Sequence, residues 1–461
     1  MSEVVLGEFV AEMAAKFGVP GAAVGVLVDG REDFAAHGVT SIEHPVPVDR
    51  DTMFVLGSVS KTFTATALMR LVAQGKVELD APVRRYVPEL VLADEQAAAE
   101  MTVSNLLNHT AGLGIRLIVE TGDGDDALAE YVARLNELDL IGPVSARASY
   151  SQAGYNLLGR VIEKVTGLTF ERAIAQLLLD PIGLSHSRYL PSEIMTRCFA
   201  VGHNRGADGA LIVAREWKDT RANNPGGGIV SSVADQLRWA RFQLGDGRTE
   251  NGKQVMPAET LARMKEQTVE LQGSSLGDAF GICWFLRDVD GVRIVSHGGS
   301  SNGQFAELVT VPEQNFAITI MSNAGPDDGI QFNQAVVRWA LEHYVGLIDK
   351  DPEPLPFDPA QAAEITGDYE IDALTLTIGT DETGLTIACG IKPEVRAASE
   401  IELPPDLPAA GVGLLPGNRD EYIVTSGGLQ GQRGFFTRDE NGRIVGADIA
   451  GRMFTRVSAT A

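Results

Sequence analysis

Strand-like segments stand at the two ends of the first 345 residues, and helix-like segments lie between them. The apolar runs 22–28 and 34–39, joined by the turn signal Asp29-Gly30, predict a β-hairpin near the start. This part of the chain closes with β-rich runs at 291–296, 304–311 and 316–321. Because such terminal strands can meet in one antiparallel sheet, the order predicts an α+β fold.

Apolar residues between these strands recur at helical spacing. The spacing predicts helices over 3–17, 59–72, 102–109, 154–180, 233–243 and 331–345. We expect the long 154–180 helix to end at Asp180-Pro181, because proline cannot continue a helix. Residues 1–350 are therefore predicted to form one domain, an antiparallel sheet flanked by helices.

A proline-rich stretch at 351–359 divides the chain. Its sequence, Asp-Pro-Glu-Pro-Leu-Pro-Phe-Asp-Pro, predicts a stiff and extended linker. Beyond it the pattern changes to short strands at 374–378, 385–391, 422–425 and 443–445, the last of them after the hairpin signal Asn441-Gly442. Residues 360–461 are predicted to form a small antiparallel β barrel or sandwich.

Composition excludes several functions. The chain has 461 residues and a net charge of −24, so neither a nucleic acid nor an anionic membrane is an expected partner. Its three cysteines lie too far apart for a disulfide framework or a zinc site, and no metal or other cofactor is expected. The first residues lack a basic region, and no apolar run is long enough to span a bilayer. We therefore expect a cytoplasmic protein without a signal peptide.

Ser58 and Lys61 form the sharpest local signal for chemistry. They lie three residues apart at the start of a helical pattern, so both side chains lie on one helix face. A lysine can help to take the proton of a serine hydroxyl, and a serine at a helix N-terminus has a backbone N–H that can face an oxyanion. Alone, the pair could equally be a helix cap and a solvated charge.

Two later segments could complete such a site. Tyr150 stands where a loop opens into a helix, and beside a lysine its hydroxyl could move protons between the serine and a leaving group. His297, followed by Gly298 and Gly299 at the end of a strand pattern, stands where a substrate can approach the backbone closely. Taken singly, these could be a packed tyrosine and a glycine loop with a surface histidine. Similarly, His109 has no partners at metal-ligand spacing, so a capping or core role is expected for it.

Together, Ser-x-x-Lys at 58–61, Tyr-Ser-x at 150–152 and His-Gly-Gly at 297–299 resemble the serine β-lactamase and penicillin-binding-protein superfamily. The resemblance covers roughly residues 5–345, and it is closest to the branch of class C β-lactamases, D-peptidases and esterases. Connecting phrases also fit, such as Asn-Pro-Gly-Gly-Gly at 224–228. The implied fold is the β-lactamase-like sheet with flanking helices.

The resemblance implies a role for each motif. Ser58 attacks an acyl carbonyl, and Lys61 and Tyr150 handle its proton. His297 stands where many relatives have the lysine of a Lys-Thr-Gly motif. The oxyanion lies between the backbone N–H groups of Ser58 and Ser300.

The sequence departs from the family pattern at two positions. Gln152 replaces the usual asparagine and alters the contacts to a substrate carbonyl, with Gly298 and Gly299 as further substrate contacts. His297 replaces the commoner lysine, which weakens the case for binding a β-lactam carboxylate. Efficient hydrolysis of β-lactams is therefore not expected.

The late β domain is similar to the lipocalin-like domain of D-amino-acid-specific peptidases and of penicillin-binding-protein-type thioesterases, which cyclise nonribosomal peptides. The resemblance implies a metal-free acyl-transfer enzyme for a small-molecule or peptide-like ester, thioester or amide, with a peptidyl thioester among the candidate substrates. Hydrolysis (by an esterase or D-peptidase) and head-to-tail cyclisation stay equally open. The alternative is a non-catalytic module that binds peptides or penicillin on the same fold. The C-terminal domain could also be a lid or an oligomerisation element.

Overall fold

A large antiparallel sheet forms the centre of the first part of the chain. The computed structural model describes residues 3–114, 121–206, 208–218, 220–325, 327–398, 406–417 and 420–457. Before residue 350, the described residues form the strands β1 (Gly21–Val28), β2 (Arg31–Gly38), β3 (Met53–Val55), β4 (His203–Arg205), β5 (Leu211–Val213), β6 (Val230–Ser232), β7 (Val269–Ser274), β8 (Gly277–Phe280), β9 (Phe285–Val289), β10 (Val292–Ser301), β11 (Gln304–Val311) and β12 (Phe316–Ser322).

The sheet has the strand order β2-β1-β12-β11-β10-β9-β8-β7 among the described residues. The predicted hairpin is confirmed, because β1 pairs with β2 from Gly21 opposite Gly38 to Val28 opposite Arg31. On its other side β1 pairs with β12, so the first and last strand patterns of this part lie side by side. Strands β3 and β6, and strands β4 and β5, form two small separate pairs. The predicted α+β class is therefore confirmed.

Helices cover both faces of the sheet. They are α1 (Glu3–Phe17), α2 (Ser60–Ala73), α3 (Glu95–Glu100), α4 (Val103–Leu107), α5 (Ala127–Ala133), α6 (Ala153–Thr166), α7 (Phe170–Ile174), α8 (Asp180–Ile182), α9 (Pro191–Ile194), α10 (Asn224–Gly227), α11 (Val233–Leu244), α12 (Ala258–Met264) and α13 (Asp327–Val345). Helices α1 and α13 enclose one apolar core with one face of the sheet. Helices α2, α6 and α11 contribute to a larger core on the other face.

The prediction of a single helix over 154–180 is wrong. Helix α6 ends at Thr166 because Gly167 adopts a left-handed backbone, with φ of +71°. Helix α7 then begins at Phe170 and continues through a π-helical turn at Ala175–Leu179 into α8. Pro181 does not end this segment, because α8 continues to Ile182 and ends where Gly183 adopts a left-handed backbone.

A closed barrel follows the first domain. Its described strands are β13 (Gly367–Glu370), β14 (Leu374–Asp381), β15 (Gly384–Ile391), β16 (Leu407–Leu414), β17 (Glu421–Val424), β18 (Arg433–Arg438), β19 (Ile444–Ile449) and β20 (Arg452–Arg456). They close in sequence order into an eight-stranded barrel, because β20 pairs back with β13. The short helices α14 (Pro359–Ile365) and α15 (Pro393–Ala398) accompany them.

Aromatic side chains fill the barrel interior. Tyr369, Tyr422, Phe436 and Phe454 are buried there, and the rings of Tyr422 and Phe436 lie 5.1 Å apart. The predicted all-β barrel is therefore confirmed. Residues 351–358 have no helix or strand, and the Leu355 N–H donates to the Leu414 carbonyl at 2.7 Å, so this segment runs along the barrel. Among the described residues, no helix combines the length and the apolar composition that crossing a membrane requires.

Candidate active site

Ser58 lies in a tight turn just before helix α2. The short strand β3 leads into a 3₁₀ turn at Gly57–Val59, and α2 begins at the next residue. Gly57 has φ of +52°, a conformation that favours glycine. The turn leaves Ser58 partly exposed, while nearly all of the helix behind it is buried. A partly accessible hydroxyl is thus presented from a rigid support.

Lys61 reaches the Ser58 hydroxyl from inside the protein. Its Nζ lies 3.2 Å from Ser58 Oγ, 2.5 Å from Gln152 Oε1 and 2.7 Å from the Gly226 carbonyl oxygen. The side chain is fully buried, and Nζ lies 4.8 Å from the centre of the Tyr150 ring. The expected proximity of Ser58 and Lys61 on one helix face is present, and three acceptors hold the lysine in place.

Tyr150 lies next to this pair, at the loop before α6. Its ring is buried, and its hydroxyl has no hydrogen-bond partner among the described residues. Burial raises the pKa of Tyr150 well above its usual value, while the nearby Ser58 hydroxyl and the charge of Arg452 act in the opposite direction. The hydroxyl is therefore neutral at physiological pH and available as a proton donor.

His109 holds the loop that carries Tyr150. Its carbonyl accepts a hydrogen bond from the Ser149 N–H at 2.9 Å, and its Nδ1 accepts one from the Ser151 N–H at 3.0 Å. The imidazole lies 4.5 Å from the Tyr150 ring, and burial lowers its pKa well below the usual value. His109 therefore has a core position, and it fixes the backbone on both sides of Tyr150. The sequence pattern did not reveal this second role.

His297 completes the cluster from strand β10. The ring is fully buried, stacks on Phe285 at 4.3 Å and lies 6.2 Å from the Tyr150 ring. Burial and the charge of Lys61 lower its pKa to about 3, so the imidazole is neutral. Nδ1 lies 2.7 Å from the Gly298 carbonyl, which can only accept, so Nδ1 carries the proton. Its Nε2 is then a lone-pair acceptor, buried and without a partner among the described residues.

Two glycines let strand β10 contact the Ser58 turn. A Cβ on Gly57 would lie 2.6 Å from the backbone nitrogen of Ser300, and a Cβ on Gly299 would lie 2.7 Å from that of Ser58. Strand β9 pairs with β10 only as far as Ser296, so the later part of β10 is free on the side of the turn. The two amides expected to bind an oxyanion thus belong to backbone segments in direct contact.

The Gln152 side chain lies against Lys61, whereas Gly298 faces the other side of the sheet. The Gln152 side chain accepts from Lys61 through Oε1 and donates to Asn223 Oδ1 through Nε2. Gly226 has no room for a side chain, because a Cβ there would overlap the Gln152 amide. Gly298, in contrast, faces Glu307 on the opposite side of the sheet from His297 and contributes its carbonyl to the imidazole. Asn223 and Gly226 belong to the site. Gly226 lies in the Asn-Pro-Gly-Gly-Gly phrase, whereas Asn223 precedes that phrase and no sequence signal pointed to it.

The barrel reaches the same site through the turn between β19 and β20. The Gly451 carbonyl accepts a hydrogen bond from the Tyr150 N–H at 2.8 Å. The guanidinium of Arg452 lies 5.3 Å from the centre of the Tyr150 ring, and its buried Nε has no partner among the described residues. No local sequence pattern indicated this contribution, because it depends on how two domains dock.

The assembled groups suit acyl transfer. They comprise a hydroxyl in contact with an amine, a neutral phenol beside both, a neutral imidazole and two backbone amides on touching segments. A hydroxyl that loses its proton can attack a carbonyl carbon, and backbone N–H groups can stabilise the oxyanion that forms.

Comparisons with known proteins identify the family. A family model described as Beta-lactamase matches residues 6–363. Penicillin-binding protein 4 of Amycolatopsis lactamdurans is 34% identical over 360 residues, which make up 76% of this chain and 93% of that protein. The Beta-lactamase of Providencia stuartii is 25% identical over 344 residues, 66% of this chain and 82% of the relative.

Solved structures resemble the chain over its whole length. The structure of SurE has a TM-score of 0.74 at 23% identity and covers 99% of both chains. An octameric penicillin-binding protein homologue from Pyrococcus abyssi has a TM-score of 0.65 at 20% identity, over 99% of this chain and 100% of the other. At such identities the likeness shows the fold alone, with the barrel included. Because the family model matches most of the chain and a relative matches at 34% identity, this chain belongs to the beta-lactamase family.

Proposed function

We propose that this protein is a serine acyl-transfer enzyme that forms an acyl-Ser58 intermediate on a peptide-like ester, thioester or amide. The observation that carries the proposal is the 3.2 Å contact between Lys61 Nζ and Ser58 Oγ within a buried cluster that also holds Tyr150. Ser58 Oγ forms a bond to the acyl carbon as its proton passes to the Tyr150 oxygen, beside the Lys61 ammonium. Tyr150 passes its own proton to the leaving group, whose bond to the acyl carbon breaks when the oxyanion collapses.

The second half of the reaction transfers the acyl group to water or to an amine. The Nε2 lone pair of His297 is an acceptor for an N–H or O–H group, so it suits an incoming nucleophile better than an anionic substrate group. The same neutral imidazole supports the expectation that a β-lactam carboxylate is bound poorly.

Peptide substrates, including those with a D-residue, are supported by the whole-length likeness to SurE. One structure of that protein is with D-Leu, and it has a TM-score of 0.75 over 99% of this chain. Exclusion of water from the acyl group would favour an amine as the nucleophile. The burial of Lys61, Tyr150 and His297 around Ser58 is in keeping with this alternative. Peptide cyclisation is therefore kept beside hydrolysis as an outcome of the test.

Intact-protein mass spectrometry tests the proposal. Wild type, Ser58→Ala and the control Ser185→Ala, which changes an exposed serine, are mixed with a short-chain p-nitrophenyl ester, a penicillin and a linear peptidyl thioester ending in a D-residue. We expect an acyl adduct on wild type and on the control but not on Ser58→Ala. A cyclic product identifies an amine as the acceptor, and a linear acid identifies water. Binding of these compounds without an adduct on any variant would favour the non-catalytic module and overturn the proposal.

A further inference from the structure

The loop that carries Tyr150 is held by three consecutive backbone N–H groups. Those of Ser149 and Ser151 donate to His109, within the same domain. The middle one, of Tyr150 itself, donates to the Gly451 carbonyl of the barrel at 2.8 Å. The backbone of the tyrosine is therefore fixed by a different domain from the one that carries it.

Further contacts hold the barrel turn in this place. The Met453 N–H donates to Ser149 Oγ at 3.3 Å, so one hydrogen bond crosses the domain boundary in each direction. A Cβ on Gly451 would overlap the side chain of Leu276, which packs against the turn. Nearby, the Ser275 N–H donates to the Arg433 carbonyl at 3.0 Å and ties the end of β7 to β18. The turn is thus held against the first domain by hydrogen bonds and by side-chain packing.

The turn itself has an unfavourable residue at its tip. Ala450 and Gly451 are the two loop residues of the hairpin, because Ile449 pairs with Arg452. Their φ angles are +51° and +71°, and alanine rarely adopts the first of these. A two-residue hairpin requires a positive φ at both loop residues, so the pairing of β19 with β20 sets this conformation. The turn so formed directs the Gly451 carbonyl at the Tyr150 N–H.

We propose that the Ala450-Gly451 turn of the barrel is a positioning element for the Tyr150 hydroxyl in acyl-Ser58 formation. The inference rests on the proposed function. The turn is joined to the site by the hydrogen bond from the Tyr150 N–H to the Gly451 carbonyl, so it acts through the tyrosine. The barrel is accordingly a fixed part of the catalytic centre, in contrast to a lid that opens.

A double-mutant cycle in the full-length chain tests this role. Gly451→Ala introduces a methyl group into the Leu276 contact and an L-residue into the left-handed region. We expect acylation by the activated ester to slow about 10²-fold, the cost of losing or misplacing a proton-transfer group. In a Tyr150→Phe background, where the hydroxyl is already absent, the same change should cost less than about threefold. An equal loss in both backgrounds would overturn the inference.

Two further variants guard against general misfolding. Gly442→Ala is the matched control, because Gly442 has φ of +77° in the neighbouring hairpin with open space around it. It should leave acylation within about twofold of wild type, since it lies outside the docked turn. Ser149→Ala removes only the bond to Met453 and should give a smaller loss, which also disappears in the Tyr150→Phe background.

Hydrogen exchange gives a readout that does not depend on activity. The backbone amide of Tyr150 should exchange faster in Gly451→Ala than in wild type, while Gly442→Ala should leave it protected. A protected Tyr150 amide in Gly451→Ala would contradict the positioning role. Failure of wild type to form any acyl-Ser58 would instead refute the proposed function, so the two failures are distinguishable.

Discussion

The neutral His297 imidazole should make the stability of the first domain depend on pH. The ring is fully buried against Phe285, and burial with the charge of Lys61 lowers its pKa to about 3. An unfolded histidine has a pKa of about 6.5. The variant His297→Asn tests this pH dependence, because asparagine is polar and does not titrate.

The sign and size of the effect follow from these two pKa values. As the pH falls below about 6.5, the unfolded chain takes up a proton on His297 before the folded chain does. The folded state therefore loses stability from about pH 6.5 down to about pH 3, by roughly 1.4 kcal/mol per pH unit. Between pH 8 and pH 5 the loss due to this group is about 2 kcal/mol. His109 also has a lowered pKa and acts in the same direction in both proteins.

Urea unfolding followed by tryptophan fluorescence measures this effect. The tryptophans, Trp217, Trp239, Trp284 and Trp339, all precede the linker, so the signal reports on the first domain. The difference in unfolding free energy between wild type and His297→Asn should shrink by about 2 kcal/mol from pH 8 to pH 5. His44→Asn, at an exposed histidine, is the matched control variant. A difference for His297→Asn that does not change with pH would show that the folded state does not hold this imidazole neutral.

Three shorter predictions concern the neighbouring residues. Gly226→Ala would push the Gln152 amide away from Lys61, and stopped-flow acylation should be slowed about 10²-fold with unchanged circular dichroism. Burial raises the pKa of Asp448 to about 7, so the folded wild type loses stability as the pH rises from about 4 through 7. Asp448→Asn does not titrate and escapes this loss. Its free energy of unfolding relative to wild type, measured by thermal unfolding, should therefore rise by on the order of 3 kcal/mol between pH 4 and pH 8. Arg452→Met removes the cation beside Tyr150, so kcat/KM for a substrate with a free carboxylate should fall about tenfold more than for a neutral ester.

Local spacing and turn chemistry made much of the first domain predictable. The contact of Ser58 with Lys61 follows from their three-residue spacing at the start of a helix. The β1–β2 hairpin follows from its turn signal. The break at Gly167 was missed because apolar periodicity continues across it, and only the left-handed backbone of one glycine interrupts the helix.

Long-range docking made the rest unpredictable. The hydrogen bond from Tyr150 to Gly451 joins positions 301 residues apart, and no periodicity in either segment encodes the other. The orientation of Gly298 and His297 toward opposite faces of the sheet became apparent only from the pairing of β10 with β11. Four barrel strands at 367–370, 407–414, 433–438 and 452–456 were also missed, since their local patterns are weak without their neighbours in the barrel.

The pairing of β1 with β12 has a consequence for synthesis. The first strand of the sheet is complete at residue 28, but its inner partner ends only at residue 322. At a ribosomal rate of about 5–20 residues per second, the hairpin waits roughly 15–60 s before that partner is made. During this interval an apolar strand edge is open to other nascent chains. Chaperone dependence in the cell should therefore rise when translation is slowed between these two strands.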